Sequence, residues 1–518
     1  MHTKPKENTL FSLQIPALAA FVVVALFMWQ GNKGFNLGDE GFLWYGAQRV
    51  MHGEVPILDF MSYDPGRYYW SAALMSLWGD NGIMALRGAV AAFQVIGLFV
   101  GLSLIACTLK KQNFLYLLLS AITLATWMFP RHKLFDISLP ILLTGVLAFL
   151  VQHPTSRRYL FAGLCVGLAA LFGRNHGIYG VAGSVGVMIW LRIKPVEDPG
   201  LFRGFALWAA GVAVGFMPIF FMALLVPGFA IAFWESIRFL FEVKATNLPL
   251  PVPWPWRVNF TSVPLGEAIR GVLVGLFFIV IVVFGVLSIA WVVWQKLQKK
   301  EVSAALVAAS FLTLPYAHYA YSRADVVHLA PGIFPLLLGS LALLATQRPK
   351  VMWSLALMLC GVSLWVTCVV HPGWQCHNSQ QWVNIKISGS NLVVDQGTAS
   401  DVALLRKLAD KYAAEGRSFI AAPFWPGAYP LLGRKSPMWE IYALFPRSHA
   451  FQLAEIERIK TAGPGFALVL DLPLDGRDEL RFKNTHPLIY QYIANHFEQL
   501  PDSPGPPYRI YRAKGNTQ

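Results

Sequence analysis

The sequence predicts a polytopic α-helical membrane protein of about eleven spans with a C-terminal extracytoplasmic α/β domain. Three observations predict it. Charged residues are 14% of the 518 and hydrophobic ones 55%, whereas a soluble domain carries about 25% charge. Apolar runs near the ~20 residues that a hydrocarbon core requires recur between Phe11 and Val370. Basic residues gather in alternate loops between those runs.

The formal charge of +14 would suggest nucleic acid in a soluble chain. Here the Lys and Arg sit in short loops, where they act as a topology signal, so nucleic acid is excluded as a partner and the lipid bilayer takes its place. The five cysteines, Cys107, Cys165, Cys360, Cys368 and Cys376, are scattered and lack metal spacing. They argue against a disulfide framework and against a zinc site.

In chain order, Phe11–Gln30 follows Lys4 and Lys6 and lacks a small-x-small cleavage site, so it reads as an uncleaved first span. The next runs are Leu86–Leu109, Phe114–Phe129, Ile137–Val151, Tyr159–Phe172 and Ile178–Leu191. Then come Phe205–Val226, Ile269–Trp294, Val302–Tyr319, Leu329–Ala345 and Met352–Val370. Every second loop is basic: Lys110-Lys111, Arg157-Arg158, Arg192 with Lys194, Lys296 with Lys299-Lys300, and Arg348 with Lys350. The pattern places the N-terminus in the cytoplasm and the C-terminus outside.

Gly31 to Ala85 is too polar and too broken by Gly and Pro to span. It reads as two amphipathic surface helices, Asp39–His52 and Arg67–Trp78, with Gly53 in the left-handed position after the first. Phe42, Trp44, Tyr45, Tyr68, Tyr69, Trp70 and Trp78 suit the headgroup level. This outer loop, 31–85, is assigned with the spans to a membrane domain, 1–372. Residues 373–518 form the soluble domain. Within it Val402–Ala414, Phe451–Ala462 and Leu488–Phe497 carry helical periodicity, and Ser418–Ala422, Phe466–Leu470 and Tyr508–Arg512 carry strand patterns. Pro227–Glu267, with its Pro- and Trp-rich centre, reads as an interfacial lid or as a passive connector.

Chemistry concentrates at the outer ends of the spans. Asp39-Glu40 stands at a helix start, where Asp39 is either a cap or a general base held away from bulk water. Arg131-His132-Lys133 with Asp136 reads as a phosphate-holding cluster, Arg through its bidentate fork, or as a snorkelling cationic edge. Arg174 and His176 lie at another outer end, where an ionisable group at membrane depth is a functional candidate. Arg323, Asp325 and His328 occupy a third; Asp325 and His328 share a helix face, and Arg323–Asp325 as a structural pair is the competing account. Three cationic edges on separate spans are most simply one anion site. The turn Pro423–Tyr429 reads as core-forming, with a sugar-contacting patch as the second reading. There is no P-loop, no dinucleotide fingerprint and no Asp-x-Asp pair for a nucleotide sugar. No cofactor is required, and no spacing demands a divalent metal, although Asp39, Glu40 and His328 are chemically able to ligate one.

An acidic pair directly after the first span, followed by two surface helices and an aromatic segment with proline, resembles the GT-C glycosyltransferases. It is most similar to their family 39 branch, which includes protein O-mannosyltransferases and the lipid A aminoarabinose transferase. The resemblance implies a GT-C fold and a bacterial inner-membrane enzyme. Such an enzyme moves a sugar from a polyprenyl-phosphate donor to an extracytoplasmic acceptor on a glycolipid, polysaccharide or protein, with inversion. It also implies Asp39 as the base, with Glu40 beside it, and matches Arg174 and the Arg131–Asp136 spacing to recurring family positions. The chain departs where relatives carry Pro-Pro: it has Tyr63-Asp64-Pro65-Gly66-Arg67-Tyr68, so Asp64, Arg67 and Tyr68 become site-shaping candidates, with an Asp64–Arg67 pair at the interface as the equal alternative. The rival readings are a lipid or polysaccharide transporter, a ligase or polymerase working from a polyprenyl-pyrophosphate glycan, and a scaffold for envelope partners.

Overall fold

The structure is a computed structural model and describes residues 9–193, 200–245, 247–378, 381–501 and 503–514. Lys4, Lys6 and Lys194, which enter the charge pattern, lie outside the described residues. Chain contacts divide the protein into two units. The first comprises Met1–Gly31, Arg87–Ala230 and Lys244–Gln375, and the second Asn32–Leu86, Ile231–Val243 and Cys376–Gln518. The outer loop read as part of the membrane domain thus groups by its contacts with the C-terminal region.

The first unit is a helical bundle, and all eleven apolar runs fall on its helices. Among the described residues five helices are by themselves long and apolar enough to cross a membrane: Leu13–Gln30, Ile83–Ala106, Arg131–Gln152, Leu265–Leu297 and Pro349–Val370. Two bent pairs bring the number to seven: Phe202–Gly215 with Met217–Leu225, bent by 47°, and Val326–Gly332 with Phe334–Ala345, bent by 55°. Pro331 and Pro335 flank the second bend, where a missing N–H and ring clashes break a helix. Phe114–Thr126 and Ser156–Phe172 are shorter than that test requires. Arg174–Arg192 and Ala304–Ser322 are long enough, but they carry the polar pairs His176–Tyr316 and Tyr179–His318. Small residues let the backbones close in this unit. A Cβ on Gly163 or Gly167 would overlap the Leu201–Gly215 helix, and one on Gly211 or Gly215 would overlap its partner.

The second unit is α/β. Strands β1 (Trp382–Ile387) and β2 (Ser390–Asp395) form an antiparallel hairpin that the sequence reading missed. β3 (Ile420–Ala422), β4 (Phe466–Leu470), β5 (Phe497–Gln499) and β6 (Tyr508–Ala513) form a sheet in the order β3-β4-β6-β5, in which only β3 and β4 pair in parallel. β4 is buried along its whole length. Ile456 and Ile459 of the His449–Ala462 helix and Ile489 and Ile493 of the Pro487–His496 helix pack into the same core. The helix read over Val402–Ala414 begins earlier, at Gln396, capped by the Asp395 side chain. β5 opens at Phe497, which the helical pattern had included. Pro227–Glu267 contains a helix, Phe229–Val243, in place of a continuous connector.

The two outer-loop helices correct an expectation. Asp39–Met51 and Gly66–Trp78 are where the periodicity places them, and Gly53 has φ 84. The first is not a surface helix, however: Glu40 to Ala47 are all buried, whereas Gly66–Trp78 keeps an exposed face that includes Leu77. Phe42, Trp44, Tyr45 and Tyr68 meet protein rings instead of headgroups, Tyr45 contacting Phe60 and Tyr429, and Phe42 contacting Tyr63 and Tyr442. Tyr69 and Trp78 stay exposed.

At the C-terminal end of the Asp39–Met51 helix, Glu54 accepts from Arg49 Nε at 2.9 Å and from Lys435 Nζ at 2.7 Å. Burial works to raise the Glu54 carboxyl, but the bonds and charges of Arg49 and Lys435 more than reverse it and hold it below its ordinary value. A depressed folded pKa contributes stability above the unfolded value of about 4.3 and loses it as pH falls through the folded value. Glu54→Gln is therefore expected to lower the thermal midpoint near neutral pH, with the gap to wild type closing in acid. A gap independent of pH would exclude the charge as its source.

Candidate functional site

One candidate group, around Asp39, lies in the second unit. Gly38 is the N-cap of the Asp39–Met51 helix, and the Asp39 backbone N–H donates to Asn36 Oδ1 at 2.9 Å. Asn36 thus supplies the capping oxygen that the sequence left open for Asp39. The Asp39 carboxylate accepts instead from the Tyr442 hydroxyl at 2.8 Å and is half-buried. Glu40 is buried at 4% exposure. Tyr442 packs its ring on Phe42 at 5.5 Å, so one residue orients both the carboxylate and the helix that carries it.

The helix start is fixed by contact between two glycines. A Cβ on Gly41 would overlap Cα and N of Gly427, and one on Gly427 would meet Leu37 O at 2.9 Å and Gly41 Cα at 3.0 Å. Gly427 N–H also donates to Leu37 O at 2.8 Å. The turn Pro423–Tyr429 is accordingly a docking turn with core character, Tyr429 being buried against Phe419 and Tyr45. Asp64, Arg67 and Tyr68 are all buried; Arg67 lies over the Tyr63 ring at 4.8 Å, and Tyr63 N–H donates to the Tyr68 hydroxyl at 3.0 Å. Tyr63 in turn packs edge-on against Phe42 at 4.9 Å.

A second candidate group lies in the first unit, where the structure brings the three predicted edges together around Tyr319, a residue the sequence reading passed over. The Tyr319 ring stacks on His176 at 5.9 Å and on His328 at 6.4 Å, and Lys133 Nζ stands 6.0 Å from its centre. Asp325 caps the Val326–Gly332 helix: its Oδ1 accepts from His328 N–H and meets His328 Nδ1, both at 2.8 Å, and its Oδ2 accepts from Arg323 Nε at 3.1 Å. Arg323 also donates to Leu248 O at 3.1 Å. The structural pair Arg323–Asp325 therefore exists, and the same carboxylate holds His328.

His176 needs correcting as a donor contact. It is fully buried, with Nε2 2.9 Å from Asp136 Oδ1 and Nδ1 2.9 Å from the Tyr316 hydroxyl. With both ring nitrogens engaged it is a positioning residue beneath Tyr319. Arg131 donates to Gln30 O at 2.9 Å and Gly31 O at 3.3 Å, and Arg87 donates to Gly31 O at 2.7 Å. Cations at a helix C-terminus satisfy its last carbonyls, so Arg131 has at least this structural part. His132 and Arg174, the latter at the start of its helix, are half-buried. Among the described residues no group of three His, Cys, Asp or Glu side chains is placed to hold a metal.

No family model and no curated protein matches the sequence. Solved structures do. ArnT from Cupriavidus metallidurans bound to undecaprenyl phosphate matches with a TM-score of 0.58 at 13% identity, covering 96% of this chain and 98% of that one. Its apo state gives 0.54 at 14% identity, with 96% and 97% covered. The archaeal oligosaccharyltransferase AglB from Archaeoglobus fulgidus, in complex with an inhibitory peptide and a dolichol-phosphate, gives 0.52 at 10% identity, with 99% and 75% covered. At such identities the likeness is one of fold: this chain shares the fold of these two proteins.

Proposed function

We propose that this chain is an inverting membrane glycosyltransferase that moves a sugar from a polyprenyl-phosphate donor to an extracytoplasmic acceptor hydroxyl. The observation that carries the reading is the Asp39 carboxylate, released from capping by Asn36 and oriented by Tyr442. In the reaction the acceptor oxygen bonds to the anomeric carbon, its proton passes to Asp39, and the bond to the donor phosphate oxygen breaks with its electron pair leaving on the phosphate. Lys133, Arg323 and His328, with Arg131, His132 and Arg174 near them in sequence or role, stabilise the charge on that leaving group. Undecaprenyl phosphate in ArnT and dolichol-phosphate in AglB support a lipid-phosphate donor. In this reading the enzyme sits in a bacterial inner membrane, with its N-terminus cytoplasmic and residues 373–518 periplasmic.

The test is reconstitution in liposomes with a labelled polyprenyl-phosphate sugar and an envelope extract as acceptor. Acceptor-dependent transfer, with release of polyprenyl phosphate, is expected. Movement of labelled lipid across the bilayer without acceptor and without transfer would replace this reading with the transporter. In the same assay Lys133→Ala and Arg323→Ala are each expected to raise the donor KM about tenfold or more, the usual scale for losing a charged contact. Unchanged donor kinetics in both would remove the cations from the phosphate site.

A further inference from the structure

A cavity of about 360 Å³ opens within the second unit, lined by the cations Arg49, Arg434 and Lys435 and by the polar side chains of Gln48, Asn81 and Ser388. None of these residues belongs to either candidate group above. Arg49 and Lys435 are both held by one carboxylate, Glu54. Arg434 is not: its Nη1 reaches Gly433 O at 3.5 Å, and its Nε is buried without an acceptor among the described residues. Arg434 therefore has no carboxylate partner among the described residues, unlike Arg49 and Lys435.

Three permanent cations facing one carboxylate leave the cavity positive. Its volume is at the low end of the ~300–1,000 Å³ of ligand pockets. Amide and hydroxyl groups beside cations are the chemistry that recognises a sugar bearing an oxyanion, the former for sugar hydroxyls and the latter for the anion. We propose that this cavity binds a single anionic sugar unit. Arg434 takes its phosphate or carboxylate, assisted by Arg49 and Lys435, and Gln48, Asn81 and Ser388 meet its hydroxyls. The proposal does not depend on what Asp39 does.

The test is calorimetric titration of the purified full-length protein, at low salt, with glucose 6-phosphate, glucuronate and glucose. At least one anionic sugar is expected to bind, and whichever binds tells phosphate from carboxylate. Glucose is expected to bind at least about tenfold more weakly, on the scale of one lost charged hydrogen bond. Arg434→Gln is expected to weaken the anionic sugar by about tenfold or more, and Arg434→Lys, which keeps the charge, to bind it better than Arg434→Gln does. Lys133→Ala is expected to leave this binding unchanged. The proposal fails if neither anionic sugar binds or if glucose binds equally well. It fails equally if Arg434→Gln retains full affinity or if the binding is lost with Lys133→Ala instead.

Discussion

Asp39→Asn is expected to lower the rate of glycosyl transfer by about 10²–10⁴-fold, the usual contribution of a positioned general base, with membrane insertion and donor KM retained. Asparagine preserves the size of the side chain and still accepts the Tyr442 hydroxyl, so the helix start and its ring contacts persist. What is lost is an oxygen able to take the acceptor proton. The same substitution separates the two readings of Asp39 cleanly, because Asn is as good a helix cap as Asp. A capping role predicts no change, and the cap here is Asn36 in any case. Single-turnover kinetics with saturating donor would locate the defect in the chemical step. Full activity in Asp39→Asn would remove Asp39 as the base and with it the mechanism proposed above.

What could be read from the sequence follows from how local each determinant is. Apolar length, charge alternation and the Gly53 turn are set within a few residues, and the helices and the left-handed glycine stand where they were expected. The three cationic edges were legible as clusters, but not the ring that gathers them, since Tyr319 sits in a helix with no local mark of its contacts. Tyr442 is 403 residues from Asp39 in sequence, so their bond leaves no trace in spacing. Aromatic residues on the Asp39–Met51 helix were assigned to headgroups because periodicity shows that a face is covered without showing by what; here it is covered by protein. For the same reason His176 reads from sequence as a phosphate-binding candidate at a span end, while Asp136 and Tyr316 engage both its ring nitrogens.

The second large effect is expected from Gly41→Val, which should destabilise the second unit by at least the upper end of the ~1–3 kcal/mol typical of overpacking and suppress transfer along with it. A glycine inside a helix is about 1 kcal/mol less favourable than alanine, so Gly41 has a reason to be there other than helix formation. The reason is Gly427: a Cβ on Gly41 would overlap its Cα and nitrogen, backbone atoms that cannot rotate aside as a side chain does. The Gly427 N–H is tied to Leu37 O in the turn entering the same helix, so relieving the clash also strains the segment that presents Asp39 two residues earlier. Gly427→Ala should be milder, its Cβ meeting Leu37 O at 2.9 Å and Gly41 Cα at 3.0 Å. Gly53→Ala provides the contrast: open space surrounds it, and the strain is only that of a left-handed residue, roughly 1–2 kcal/mol. Thermal unfolding should therefore rank Gly41→Val below Gly427→Ala, with Gly53→Ala alone keeping the transfer rate close to wild type. If Gly41→Val melts with the wild type, the glycine contact does not hold the helix, and the placement of Asp39 must come from other contacts, Tyr442 and Asn36 among them.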